Sequence, residues 1–476
     1  MRQASLLRLL APLGAGGLNL PPAVRRRAAE ISGLLLLILA LTLGGASQGN
    51  AVPLAIVEGL ALPALAIGLW QGLHNGVGRS GGHALIVLAA MVGLPLIQLI
   101  PLPPDVWTAL PGRAGVVAVL RSADLPLAWM PISLTAEDTV HCALALIPPV
   151  AMFLITVVLD TKSRMKLAFV AAALALVSVV LGLLQVEDGP ASSLRLYAQT
   201  NQDSAVGFFA NRNHQADFLA CAIPLLVGAL ALTRGPVPSR LQFADLAILM
   251  GVPILALGVA VTASRAGLVL IAIAVTGSLI IAPRQKGGGR SARGGLYLAL
   301  AAGLLSLIAI QAGRVPALAR FAEQGADLRF MAAPTVIAAI RTYWPVGSGF
   351  GSFIPIYQTL QPPALVDPTI FNHAHDDFLE ISLEGGLAAW VILAAFVAWV
   401  VGRGHAAWRK AAVSPSRSLA RGGTIVIVMI LVHSLVDYPL RTVAMTTLLA
   451  FACGLLILPK TERLNADGWS LPQVAL

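Results

Sequence analysis

Two histidines, two aspartates and two glutamates crowd into residues 371–386, Phe-Asn-His-Ala-His-Asp-Asp-Phe-Leu-Glu-Ile-Ser-Leu-Glu-Gly-Gly, in a chain otherwise apolar and poor in acid. Imidazole titrates near neutral pH, so His375 is a candidate general base. His373 and His375 with the flanking carboxylates could instead bind a metal, although a His-x-His pair without further Cys or His ligands is a weak pattern. A solvated acidic loop without chemistry is the plain alternative. Were the stretch helical, Asp376, Glu380 and Glu384 would share one face at i, i+4 and i+8.

Three other stretches carry polar groups of the same kind. Phe209-Ala-Asn-Arg-Asn-His-Gln-Ala-Asp217 opens an apolar run. Ionisable groups at a membrane boundary are costly and point to function, although a helix start with Arg212 snorkelling to the interface explains them equally simply. Thr262-Ala-Ser-Arg-Ala-Gly267 places Arg265 in a tight turn with no acid nearby. Such an arginine needs a partner or an anionic ligand, and the planar guanidinium fork suits the oxygens of a diphosphate. The stretch from Asp327 to Phe353 holds Arg329, a second candidate for phosphate, and the run Gly347-Ser-Gly-Phe-Gly351. That run lacks the strand and helix of a dinucleotide fingerprint and predicts close backbone turning near a site. His433-Ser-Leu-Val-Asp-Tyr438 adds a wall to the same site or simply packs.

The elements that must position these groups follow from the composition. The chain has 476 residues, 57% hydrophobic and 11% charged, with mean hydropathy +0.82. Soluble domains carry about 25% charged residues, so the composition predicts a polytopic membrane protein in one membrane domain. The net charge of +10 reads as topology-setting Lys and Arg rather than a nucleic-acid surface. Cys142, Cys221 and Cys453 all fall in apolar runs, where core packing is expected rather than a disulfide or metal site.

Apolar runs lie at 31–47, 51–70, 83–103, 139–159, 166–185, 208–233, 243–262, 266–282, 295–312, 386–402, 422–438 and 441–458, about twelve spans. With the N-terminus inside, most Lys and Arg fall in cytoplasmic segments and most acids on or near the outer side, the positive-inside bias of an even topology. The expected organisation is a cytoplasmic tail over 1–30, not a convincing cleavable signal peptide, a membrane domain over 31–458, and a cytoplasmic tail over 459–476. Two outer loops stand out, 104–138 and the longer 313–385, which is expected to be ordered and functional. Arginines and a histidine at the outer face suggest an enzyme acting on a lipid-linked anion.

At these residues the chain resembles the O-antigen ligase and polymerase superfamily of bacterial envelope glycosyltransferases, over roughly 200–440. The matching features are Asn211-Arg212-Asn213 at the start of a span and the turn Ser264-Arg265-Ala266-Gly267. They continue with Arg329 ahead of Gly347–Gly351, and with His375-Asp-Asp-Phe-Leu-Glu380 followed by Glu384-Gly385. The family signature has Asn where this chain has Asp376. The resemblance implies a GT-C-like all-α membrane fold with a large periplasmic loop, in the bacterial inner membrane, with both termini cytoplasmic and the active site facing the periplasm. It implies glycan transfer from an undecaprenyl-diphosphate-linked donor to lipid A core or another glycan, with no cofactor and no obligatory metal.

By the same resemblance Arg265 and Arg329 hold the diphosphate and His375 deprotonates the acceptor. Arg212, Asn213, His373, Asp376, Glu380 and Arg341 are the candidates for substrate contact. A ligase is ranked first and a polymerase second, with a protein O-oligosaccharyltransferase as a further option. A lipid-linked sugar transporter or flippase is the rival from another class. It is disfavoured because the polar residues gather at one face rather than at the midplane.

Overall fold

The computed structural model describes residues 21–48, 50–76, 78–230, 243–281, 328–366, 370–409 and 414–459. The described residues form a helical bundle: α1 (Pro22–Leu43), α2 (Ala51–Asn75), α3 (Gly78–Gln98), α4 (Pro104–Trp107), α5 (Ala114–Ser122), α6 (Ala136–Leu144), α7 (Ile147–Val158) and α8 (Thr161–Glu187). These are followed by α9 (Arg212–Leu230), α10 (Phe243–Val261), α11 (Arg265–Ile281), α12 (Leu328–Tyr343), α13 (Phe353–Leu360), α14 (Asp377–Arg409), α15 (Pro415–His433) and α16 (Val443–Leu455). Among the described residues six helical stretches are long and apolar enough to cross a membrane, with three shorter apolar helices beside them. The chain is a multi-pass, mostly helical membrane protein.

Several expected boundaries shift. The first helix begins at Pro22, inside the expected tail, with proline at its first position where a missing N–H costs nothing. The run at 139–159 is broken between α6 and α7, just ahead of Pro148 and Pro149. The run at 441–458 yields a helix of only 13 residues. The run at 295–312 and most of both expected tails lie outside the described residues. The described part of the expected loop at 313–385 contains α12, α13 and the first nine residues of α14.

The bundle is organised around α9. Every residue from Asn213 to Leu230 is buried, and the helix packs against α8, α10, α11 and α15. A helix buried on all sides sits at the centre of its bundle. Small residues bring α9 and α15 close together, as is common where lipid offers helices no hydrophobic drive to associate. A Cβ on Gly422 would lie 2.5 Å from the Pro224 carbonyl oxygen, and one on Gly228 would lie 3.0 Å from that of Ser418. The antiparallel crossing brings the first turns of α9 to the end of α15, where both carry ionisable groups.

A cap closes that end. Two short strands, β1 (Pro101–Leu102) and β2 (Met130–Pro131), pair antiparallel with Pro101 opposite Pro131. Trp107 is buried and its indole N–H donates to the Ala128 carbonyl. Arg113 is buried against the carbonyls of Ile132 and Gly347, with its guanidinium over the Tyr343 ring. Burial pushes its guanidinium below the usual arginine range. Ala332, Val336, Phe353, Tyr357 and Leu383 form a second, smaller apolar cluster joining α12, α13 and the start of α14.

α14 is two helices in sequence. Gly386 is non-helical at φ 56°, ψ −147°, and a Cβ there would lie 2.2 Å from the Pro345 carbonyl oxygen. The expected span began at this residue. The nine residues before it belong to the cap, and the longer part after it continues as the membrane-length helix.

Candidate functional site

A cavity of about 280 Å³ opens where the cap meets α9. Its wall is assembled from residues 45–48, 199–201 and 210–214, together with Arg329, Asn372, His375 and Tyr438. Four of the residues singled out in the sequence therefore share it: Arg212, Asn213, Arg329 and His375. Among the described residues no carboxylate lines it, and Asp437 is fully buried against two of its lining residues, His375 and Arg329.

His375 sits in the link just before α14 in the left-handed region, at φ 53°, which costs a non-glycine residue energy and persists only where its surroundings hold it. Three contacts hold this link. Asp376 Oδ1 accepts from the N–H groups of Phe378 (2.8 Å) and Leu379 (3.0 Å), the bonds of a helix N-cap. Glu380 reaches back, 2.9 Å from His373 Nδ1 and accepting from the Ala374 N–H at 2.9 Å. The Asp377 N–H donates to the Ser434 carbonyl at 2.9 Å.

The departure from the family signature at Asp376 is thus mild. The work done there is acceptance of backbone N–H groups, which Asn and Asp do about equally well. The expectation that Asp376, Glu380 and Glu384 share a helix face is corrected, because the helix begins at Asp377 and Asp376 lies outside it. His373 and His375 also take different partners, Glu380 and Asp437. Among the described residues no group of three or more His, Cys, Asp or Glu is arranged to hold a metal ion.

Asp437 is the centre of the polar arrangement. Its Oδ1 accepts from the Tyr438 N–H at 2.9 Å and lies 3.5 Å from His375 Nδ1 and 3.7 Å from His214 Nε2. Its Oδ2 accepts from the Asn213 amide and lies 3.6 Å from Arg329 Nη1. Burial alone would raise its carboxyl. The facing imidazoles of His214 and His375 and the charge of Arg329 more than reverse this and hold it well below the usual carboxylate range. Burial pushes the Tyr438 phenol up to about 12, so it faces the cavity with its proton on.

Arg329, in the first turn of α12, donates to the Val436 carbonyl at 3.1 Å and is 31% exposed. Arg212 begins α9 and reaches Ser204 Oγ at 3.3 Å. Asn213 is buried, and its Oδ1 accepts from Ser264 Oγ at 2.8 Å. Ser264 in turn accepts from the Gly267 N–H at 3.0 Å, capping α11. The turn at 264–267 is therefore tied to the site through its serine. Arg265 is exposed and outside the cavity lining.

The other candidates stand apart from the cavity. Arg341 is exposed near the far end of α12. His373 and Glu380 pair with each other, and Glu380 also faces Arg441, with Nε at 3.3 Å. The Gly347–Gly351 run does turn closely, at φ 88°, 104° and 84° for its three glycines, but against α6, the link before it and α14 rather than the cavity. A Cβ on Gly349 would meet Ser133 Oγ at 2.3 Å, and one on Gly351 would meet Asp138 Cβ at 2.5 Å.

His214, Asn372 and Asp437 fall in stretches the sequence singled out, the last as a wall of the site or simple packing, but none was given an individual role, and Arg441 was given none.

The fold and this cavity define a multi-pass membrane protein with a pocket lined by Arg212 and Arg329 at one end of its helices. Residues 250–394 match a family model described as Wzy_C, O-Antigen ligase. That stretch is similar to the O-antigen ligase family, in agreement with the resemblance of the chain's motifs to the O-antigen ligase and polymerase superfamily. A search of curated proteins finds no match. The matched segment contains Arg265, Arg329 and His375, whereas Asn211–His214 and Asp437 lie outside it.

Proposed function

We propose that the protein is a glycosyltransferase of the O-antigen ligase type, moving a glycan from undecaprenyl diphosphate to an acceptor hydroxyl at the periplasmic face of the bacterial inner membrane. The observation that carries this reading is that His375 and Arg329 share one cavity with Asp437 between them. With Nδ1 turned to Asp437, His375 has Nε2 left to take the acceptor proton. The acceptor oxygen attacks the anomeric carbon, the bond from that carbon to the diphosphate oxygen breaks, and its electron pair leaves with the diphosphate. The donor is already activated, so the step needs one base and cations for the departing charge. Arg329 and Arg212 are the cations at the cavity. Arg265, proposed from the resemblance, acts on the diphosphate from the start of α11.

Lipid A core as acceptor makes the protein a ligase, which we rank first; a second glycan repeat makes it a polymerase. Glycan profiling of a deletion strain beside one carrying His375→Ala tests the proposal. In a ligase, short-chain lipopolysaccharide appears while polymer accumulates on the lipid carrier, and His375→Ala reproduces the deletion. Accumulation of single repeats assigns a polymerase. Restoration of the wild-type profile by His375→Ala removes the base and favours a transporter.

A further inference from the structure

Beneath the cavity lie two ionisable side chains with no part in the transfer described above. His433 closes α15, Asp217 lies in the second turn of α9, and both are fully buried. His433 Nδ1 is 2.8 Å from Asp217 Oδ2, and its Nε2 is 3.9 Å from Asp437 Oδ2. Asp217 Oδ1 also accepts from Cys221 Sγ at 3.3 Å. A neutral imidazole carries one N–H, so between two carboxylates it would turn a lone pair toward one of them. The doubly protonated ring turns an N–H toward each, bonding Asp217 through Nδ1 and meeting Asp437 at 3.9 Å through charge alone, with no hydrogen bond from Nε2. The charges then balance: Asp217 and Asp437 against Arg329 and the His433 ring.

The geometry points to His433, held by Asp217, as a fixed buried cation behind Asp437, a positioning residue that sets how readily His375 takes a proton from the acceptor. The inference rests on the glycosyl-transfer reading. Asp437 presents Oδ1 to His375 and Oδ2 to His433, so one carboxylate stands between the two rings. Arg329 offsets part of the Asp437 charge; without His433 on the far side, more of that charge would act on His375. That ring would then hold its proton more tightly, and a smaller share of it would be free to take one from the acceptor at a given pH.

Among the other groups facing the pair, Arg329 shares Asp437 Oδ2 with His433, at 3.6 Å against 3.9 Å, but reaches it from the cavity side and is 31% exposed, whereas His433 is fully buried. From α9, His214 stands edge-on at 6.1 Å between ring centroids. From α14 comes Asp377, bonded to Ser434 Oγ at 2.9 Å. His375 itself is faced by Asp437 and by the Tyr438 ring at 4.8 Å, with Arg329 on the other oxygen of Asp437. The close α9–α15 crossing at Gly422 and Gly228 brings His433 to Asp217.

The test is kcat/KM for transfer from an undecaprenyl-diphosphate-linked oligosaccharide, measured from pH 5 to 9 on the purified full-length protein. Three proteins are compared: wild type, His433→Gln, and the double variant Asp217→Asn/His433→Gln, whose two amides can still bond to each other. In His433→Gln the acid limb moves to higher pH by about one unit, the order expected for losing a unit charge one carboxylate away. The double variant moves in the same direction by less, because an anion leaves with the cation. A pair that only packs would lower the rate at every pH and leave the limb in place; that outcome in both variants overturns the inference. Retained transfer by His375→Ala would instead overturn the glycosyl-transfer reading itself.

Discussion

Arg441 is the strongest test of how the site is held together. Its side chain is 13% exposed and faces three buried carboxylates: Nη1 lies 2.8 Å from Glu384 Oε2, and Nε lies 3.3 Å from Glu380 Oε1 and 3.5 Å from Asp377 Oδ1. Burial works against the guanidinium charge, but Glu380, Glu384 and Asp377 more than offset it and raise its pKa further above the ordinary arginine value. Each acid also fixes a different part of the cap. Glu380 holds the link carrying His375, Asp377 accepts from the Leu440 N–H at 3.2 Å, and Glu384 accepts from the Gly351 N–H at 2.9 Å. Arg441→Gln leaves these acids without their cation, and breaking a buried pair from one side costs about 3–5 kcal/mol. That is a factor of about 10²–10⁴ in the folded-to-unfolded ratio. Denaturant unfolding of the purified protein in detergent, followed by tryptophan fluorescence, measures it. Adding Glu384→Gln to Arg441→Gln recovers part of the loss by removing one uncompensated acid. An Arg441→Gln protein within about 0.5 kcal/mol of wild type, the scale of an ordinary surface substitution, would refute this account of the cap.

Arg265→Lys keeps the charge and loses the bidentate fork, so transfer falls by about 10-fold or more if Arg265 grips diphosphate; unchanged activity would leave it as an interfacial snorkel. Because the Asp437 carboxyl is held below its unfolded value, the stability it contributes is fully present above about pH 4 and is lost as pH falls through the lower folded value. In an infrared titration, a protonated-carboxyl band that is absent from Asp437→Asn should therefore stay absent from pH 9 down to about pH 4, and its appearance above pH 5 would contradict the assignment. Transfer should also persist in EDTA; loss restored by a single divalent ion would revive a metal role for His373 and His375.

The helical, multi-pass character was legible because apolar runs of bilayer length leave few alternatives, although the described residues hold six helices of spanning length against the twelve expected over the whole chain; the Gly386 break coincides with the expected start of its span. The wiring of the site was not legible. Asn213 and Asp437 are 224 positions apart and His433 and Asp217 are 216 apart, and a buried polar pair leaves no periodic trace in either segment. The acidic stretch at 376–384 looked like chemistry because of its density. In the fold most of it is scaffolding: Asp376 caps a helix, Glu380 holds the preceding link, and Glu384 pairs with Arg441. The nearby residues that line the cavity, Asn372 and His375, come just before it. The Gly-x-Gly-x-Gly run was correctly read as a place of close turning, but it turns against the cap.

The distribution of the site along the chain bears on what the family segment does by itself. Residues 250–394 supply His375 and Arg329, the proposed base and a cation for the leaving group. They do not supply the carboxylate between these two side chains. Asp437 comes from the link after α15, and the amide that binds its Oδ2 comes from Asn213 at the start of α9. A His375 imidazole without Asp437 would lose the carboxylate that faces its Nδ1 at 3.5 Å, and Asp437 without the Asn213 amide and the charge of Arg329 would be a poorly compensated buried anion. The site therefore depends on α9 and α15 crossing closely enough for both ends to reach one carboxylate. The glycines at that crossing, remote from the cavity and outside the matched segment, belong to the machinery as much as the histidine does.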